Sequence, residues 1–146
     1  MNRTFTKLLV LALLVVTAFS GCVKNNDVLT INKTNLLGTY TIVSEKAKAT
    51  GAAEQDVTSK YYDACEMDDQ VTLNSNLTAT YVDAGTQCSN NNNVGGTSTW
   101  DLNGNIFTYD GDDYTIISLT RSTLIYSQTV TVSGIDITTT WTFRRY

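Results

Sequence analysis

A chain of 146 residues, 42% hydrophobic and 16% charged, is a single domain with enough apolar surface for one core. Its net charge of −4 and isoelectric point near 4.6 exclude the clustered basic face on which nucleic-acid binding normally rests. With no histidine, Ser-His-Asp and Cys-His constellations and imidazole metal sites are all removed, and no catalytic residue, metal ligand set or cofactor is read from the chain.

Residues 1–21 place Arg3 and Lys7 ahead of an uncharged apolar run at 8–19, the layout of a secretory signal peptide. The run fits the ~7–15 residues of a signal core and falls short of the ~20 that a membrane span needs. Ser20 and Gly21 directly precede Cys22, with Phe19 before them, and this boundary resembles a bacterial lipobox. The resemblance implies that Cys22 becomes the mature N-terminus and carries a lipid of the palmitate type that holds the protein at a membrane. Cleavage removes two basic residues and no acidic one, leaving a body too acidic to lie flat on an anionic leaflet, so the lipid does the holding. Residues 22–35, which include Lys24, Asn25, Asn26 and Asp27, are polar and read as a tether.

Residues 36–146 form the remaining domain, rich in Thr, Ile, Val, Tyr and Trp that alternate with polar residues. A first strand at 38–46 carries Tyr40 and Ile42 on one face. Residues 47–62 leave the alternation; their composition suits a short helix that Gly51 and Thr58 weaken. With Cys22 lipidated, Cys65 and Cys88 are an even pair in an exported domain and are expected to form a disulfide. The loop of about 24 residues that it closes is worth roughly 3 kcal/mol in the chain-entropy model. Strands at 68–74 and 77–83 are joined at Asn74-Ser75-Asn76. As a three-residue loop this turn gathers Val71, Leu73, Leu77, Ala79 and Tyr81 on one face and sets Cys65 opposite Gly85, so the ladder must break near Gly85 for the disulfide to close. Residues 83–96, with asparagines at 90–93, read as a solvated loop.

Asn103-Gly104 is a strong hairpin signal between strands at 96–102 and 105–110. It sets Leu102 opposite Asn105 and Trp100 opposite Phe107, with Tyr109 on the same side. Asp110-Gly111-Asp112-Asp113 lacks the length and terminal Glu of a calcium-binding loop and reads as an Asp-Gly turn. Asp68-Asp69, the other carboxylate cluster, shows no facing partner for glycoside hydrolysis. The strand at 113–119 is apolar on both faces, Tyr114 and Ile116 against Ile117 and Leu119, and alternation does not orient it. A Ser133-Gly134 turn between strands at 123–132 and 135–145 pairs Val132 with Ile135, Val130 with Ile137, Tyr126 with Trp141 and Leu124 with Phe143, all on one face. Thr129, Thr131, Asp136, Thr138, Thr140 and Thr142 take the water side.

Eight strands joined by consecutive hairpins with one aromatic-rich face predict an all-β, eight-stranded antiparallel up-and-down barrel. Trp100, Phe107, Tyr109, Tyr126, Trp141 and Phe143 are its candidate lining. A barrel of this size is just wide enough to be filled by its own side chains or to hold one small ligand. A packed interior is the first expectation and an open calyx the second.

The opening Leu37-Gly38-Thr39-Tyr40 is similar to the Leu-x-Gly-Thr-Trp start of the lipocalin-like domain common in lipoproteins of Bacteroidetes-type bacteria. The similarity continues through Cys65-Glu66, Cys88, the segment 96–102 with central Trp100, Asn103-Gly104, the stretch 114–124 and the ending Phe143-Arg144-Arg145. It implies a non-enzymatic module that takes a small apolar ligand in the barrel mouth, on a bacterial outer membrane and facing periplasm or cell surface. The alternative is an envelope protein-interaction module, such as a hydrolase inhibitor or complex subunit, with the loop at 90–93 as its contact surface. The family's tryptophan packs at the closed barrel end beneath an arginine of the last strand; here the position is Tyr40, and parity puts Arg145 on the inward face. Tyr40 and Arg145 are therefore the candidate barrel-end pair, expected either to make a cation–π contact or to be two ordinary barrel-end residues.

Overall fold

The computed structural model describes residues 27–88 and 95–146. Within them one antiparallel sheet runs in chain order: β1 (Gly38–Ala49), β2 (Gln55–Asp56), β3 (Gln70–Leu73), β4 (Thr78–Val82), β5 (Gly96–Asn103), β6 (Ile106–Tyr109), β7 (Asp112–Leu119), β8 (Thr123–Val132) and β9 (Ile135–Arg145). β2 is a two-residue arm beside β1, and pairing of β1 with β9 closes the other strands into the eight-stranded up-and-down barrel that the alternation predicts. Two single-turn helices accompany it, α1 (Lys33–Leu36) and α2 (Thr58–Tyr61), the second inside the stretch read as weakly helical. Cys22, the signal segment and the asparagines at 90–93 lie outside the described residues.

Turn chemistry sets the registers. Asp110-Gly111 (φ 52° and 93°) and Ser133-Gly134 (φ 53° and 81°) have positive φ at both central positions, which a type I′ hairpin turn requires. All four pairs expected across Ser133-Gly134 form, from Val132 with Ile135 to Leu124 with Phe143. Two other hairpins slip by two residues from the expected register. Gly104 alone takes positive φ (63°), so the turn is Gly104-Asn105, Asn103 stays in the strand, and Trp100 pairs with Tyr109 rather than Phe107. In the β3–β4 hairpin Leu73 pairs with Ala79, and the loop is Ser75-Asn76-Leu77 with Leu77 in the left-handed region (φ 63°). Asn74 is kept in the ladder by its side-chain amide, which donates to the hydroxyls of Thr78 (3.2 Å) and Thr80 (3.0 Å). Because side chains alternate with period two, a slip of two leaves every inward face inward.

Two β-bulges do the opposite and change the face in mid-strand. Between β1 and β9 the register shifts at Val43, which is 44% exposed, so Tyr40 and Ile42 face the interior before it and Glu45 after it. Between β7 and β8 it shifts at Ile117, 56% exposed, and this orients the strand that alternation left ambiguous: Tyr114, Ile116 and Leu119 all turn inward. An extra residue in one strand re-aims every side chain beyond it.

One end of the barrel is filled. Leu36, Tyr40, Leu73, Trp100, Leu102, Phe107, Leu119 and Leu124 are each at most 9% exposed and form one cluster. The segment before β1, expected to be part of a tether, instead lies against this end. Val28 bridges to Thr120, the Leu29 N–H donates to the Leu119 carbonyl (2.9 Å), and Leu29 and Ile31 pack on the cluster. Asn32 caps α1 by accepting the Asn35 N–H (2.8 Å), which delivers Leu36 fully buried beneath the barrel. The apolar side chains of Leu29 and Ile31 supply the burial that a free linker lacks.

Tyr40 and Arg145 face each other across the β1–β9 ladder, as expected, but their polar atoms go elsewhere. The Tyr40 hydroxyl donates to the Leu36 carbonyl (2.7 Å), and Arg145 donates to the carbonyls of Leu37 (2.7 Å) and Thr120 (3.5 Å). A Cβ at Gly38 would sit 3.1 Å from Arg145 Nε on a backbone with φ of +151°, so the glycine of the opening motif is what lets the guanidinium lie across the barrel end.

Cys65 and Cys88 are joined, with Cα atoms 5.4 Å apart. The β3–β4 ladder ends at Gln70 and Val82, so the bridge closes outside it, as the break expected near Gly85 requires. Replacing both cysteines with alanine is expected to lower the unfolding free energy by about 3 kcal/mol while leaving a β-type circular dichroism spectrum; urea denaturation of the oxidised protein and the double variant measures the difference.

Candidate functional site

Above the filled end the barrel opens into a cavity of ≈ 540 Å³, exposed to solvent on one side. That is well inside the roughly 300–1,000 Å³ typical of small-molecule sites. The wider of the two expectations for the interior is therefore met in the upper half and the packed one in the lower. Of the six residues expected to line the barrel, Phe107, Tyr109, Tyr126, Trp141 and Phe143 line the cavity. Trp100 does not. It is 2% exposed in the lower cluster, with its indole N–H donated to the Asn74 carbonyl (3.0 Å), because the slipped register carries it down beside the β3–β4 turn.

The aromatic wall is continuous. Tyr126 is its hub, with ring centroids 4.9 Å from Tyr114, 5.3 Å from Phe143, 5.5 Å from Trp141 and 5.6 Å from Phe107. Tyr114 meets Trp141 edge-on at 88°. Such tilted and edge contacts suit the ring quadrupoles and hold the wall in one arrangement. Burial pushes the Tyr126 phenol well above its ordinary pKa, with a further contribution from Tyr114.

Further along β8 and β9 the same inward parity continues past the rim. Val130, Val132 and Ile135 are there about half exposed, so these members of the expected apolar face lie outside the interior. Of the threonines expected to face water, Thr129 and Thr131 are exposed, whereas Thr138, Thr140 and Thr142 are half-buried on β9 between its two neighbours.

Three carboxylates also line the cavity, Glu45, Glu66 and Asp69, and alternation singles out none of them for it. Asp69 is tied into the fold, accepting the Ala84 N–H (3.1 Å) and the Tyr81 hydroxyl. Its neighbour Asp68 accepts the Thr86 N–H (2.9 Å) and occupies the space where a Gly85 Cβ would be. The acidic pair thus anchors the loop beside the disulfide, and its two members do not form a hydrolytic pair. Glu66 accepts the Asp63 N–H (2.8 Å) in the preceding turn. Glu45, 8% exposed, pairs directly with Trp141 across β1–β9 and has no ion pair among the described residues.

α2 completes the rim. The Thr58 hydroxyl donates to Asp56 Oδ1 (2.7 Å) and accepts the Glu45 N–H (2.8 Å), and the Val57 N–H donates to the Glu45 carbonyl (2.9 Å). These bonds bring Tyr61 and Tyr62 to the cavity. Tyr62 is pushed up to about 12, first by burial and then by Glu45. The signal for Glu45 was present as an apolar doublet, Ile42-Val43, that breaks the alternation; Ile116-Ile117 marks the second bulge in the same way. For Tyr61 and Tyr62 alternation offers no comparable signal, because they sit in the last position of α2 and directly after it, outside the strands.

The described residues contain no group of His, Cys, Asp or Glu suited to a metal ion. A family model described as a lipocalin-like domain matches residues 36–126, from the helix under the barrel to the aromatic hub on β8. No curated protein and no solved structure matches the chain.

The split between filled and open halves predicts different costs for the two tryptophans. Trp100→Ala is expected to lose about 3–5 kcal/mol through cavity formation, and Trp141→Ala clearly less because one side already faces open space; chemical denaturation of the two variants compares them. The tyrosines predict an alkaline transition. Tyr40 and Tyr62 are each raised from 10 to about 12, mainly by burial, so their neutral forms stabilise the fold fully below pH 10. That contribution falls away as pH rises from 10 through 12, and absorbance titration should show these phenols ionising together with unfolding.

Proposed function

The chain belongs to the lipocalin-like domain family, and on that premise we propose that it is a non-enzymatic binding module that takes a small, largely apolar ligand into the open half of its barrel. The observation that carries the reading is the cavity itself: ≈ 540 Å³ of space walled by aromatic rings in a barrel narrow enough to have been filled. The arrangement suits capture rather than catalysis. Asp69 and Glu66 are engaged in holding loops.

The same proposal places the module on a membrane, as a lipoprotein of a Bacteroidetes-type outer membrane, anchored through a lipid on Cys22. Its support is the sequence of an apolar run at 8–19 followed by Ser20-Gly21-Cys22. The described chain begins at Asp27, where the Arg121 N–H donates to the Asp27 carbonyl (3.0 Å), so an anchor would attach at the filled end of the barrel. The open mouth would then point away from the membrane.

Native mass spectrometry of detergent-extracted protein from its own host tests both parts. The expected spectrum shows a lipid mass on a chain starting at Cys22 and a retained small molecule that dissociates on activation. A chain with no lipid overturns the anchor; repeated recovery of an empty barrel, with no uptake of apolar probes, overturns the binding reading.

A further inference from the structure

The reading of the barrel as a ligand carrier leaves the chemistry of the ligand open, and Glu45 narrows it. This side chain is turned inward by the Val43 bulge, is 8% exposed and lines the cavity. Among the described residues its carboxylate has no ion pair, and the polar group that meets it in the cavity is the Tyr62 phenol, which carries no positive charge to offset it. Glu66 and Asp69 line the same space, and neither lysine nor arginine does. The fixed charge of the lining is thus wholly negative.

A ligand that fills the cavity strips the remaining water from Glu45. A neutral apolar ligand would leave a buried carboxylate without a compensating charge, and an anion would add repulsion in a low-dielectric space. An organic cation does neither. The other half of the site suits the same group, because Trp141 lies directly opposite Glu45 in the ladder, with Tyr126 tilted against it and Tyr114 edge-on to it. Ring faces attract a cation, most strongly when it is desolvated, and tryptophan does so best. We propose that the calyx is selective for amphiphilic organic cations, an ammonium group lying between the Glu45 carboxylate and the Trp141–Tyr126–Tyr114 wall with its apolar body directed down toward Phe107 and Phe143. The proposal rests on the binding reading above and adds the sign of the ligand's charge.

Decyltrimethylammonium, decanol and decanoate share one chain length and differ in head-group charge, so titration calorimetry with all three, below their micellar concentrations, separates the two readings. Decyltrimethylammonium is expected to bind at least about tenfold more tightly than decanol, the difference that one desolvated cation–π contact supplies, with decanoate weakest. Glu45→Gln should bring the preference for the ammonium over decanol close to unity. Trp141→Leu, the second variant should the first not fold, should narrow it as well. Equal affinities for the ammonium and decanol, tighter binding of decanoate, or an unchanged preference in folded Glu45→Gln would overturn the cation selectivity and leave the apolar calyx standing. Failure of all three probes to bind would overturn the carrier reading itself.

Discussion

Everything distinctive about this barrel depends on how β1 meets β9. That ladder runs from Tyr40 opposite Arg145 to Ala49 opposite Ile137, and it converts an open meander with two free edges into a closed sheet. Closure fixes which side is inside, and the bulge at Val43 then changes what that side carries partway up. Below the bulge β1 contributes the buried apolar side chains of Tyr40 and Ile42 to the cavity lining; above it the strand contributes a carboxylate, Glu45. A single extra residue separates the apolar part of the strand's inner face from its charged part.

The two halves divide stability and function between them. The lower half concentrates large buried side chains that do not reach the cavity, Trp100, Leu102 and Leu119 among them, and seals the end with Leu36 from below and Arg145 from the side. Arg145 gives donors to the carbonyls of Leu37 and Thr120, so it links the entry of the barrel, the β7–β8 turn and the last strand through charge-assisted hydrogen bonds. With this end rigid, the upper half has room to leave space unfilled. The unfilled volume costs stability in the measure that packed contacts are absent, which is the usual physical condition of a binding cavity.

Around the mouth, carboxylates have two distinct uses. Asp68 and Asp69 take backbone N–H groups of Thr86 and Ala84, and with the Cys65–Cys88 bridge they hold the loop after β4 against the turn before β3. Those bonds engage the carboxylates locally, with Asp68 Oδ1 left buried and without a hydrogen-bond partner. Glu45 sits on a regular strand whose backbone bonds go to its neighbours and to Thr58, leaving its side chain free to face the cavity. The same chemical group is structural in a loop and available on a strand, because loops offer unpaired N–H donors and ladders do not.

The alternation of apolar and polar residues determined a great deal by itself: the all-β class, the eight barrel strands, the hairpin at Ser133-Gly134 with all its pairs, and the inward face of Phe107, Tyr109, Tyr126, Trp141 and Phe143. It did so because strand periodicity and positive-φ turn residues are local properties, and errors of two residues in a register leave the faces unchanged. The cysteine count likewise pointed to Cys65–Cys88 without knowledge of the fold. Tertiary structure alone decided what depends on distant strands meeting. It placed Trp100 in the floor and Trp141 in the wall, folded residues 27–35 under the barrel where polarity suggested a linker, and brought Tyr61 and Tyr62 to the mouth at the end of α2. It also turned Glu45 inward. An apolar doublet marks where alternation breaks, but only the partner strand decides which face the residues beyond it take, and whether the closed interior is filled is settled only by the summed volumes of side chains from all strands.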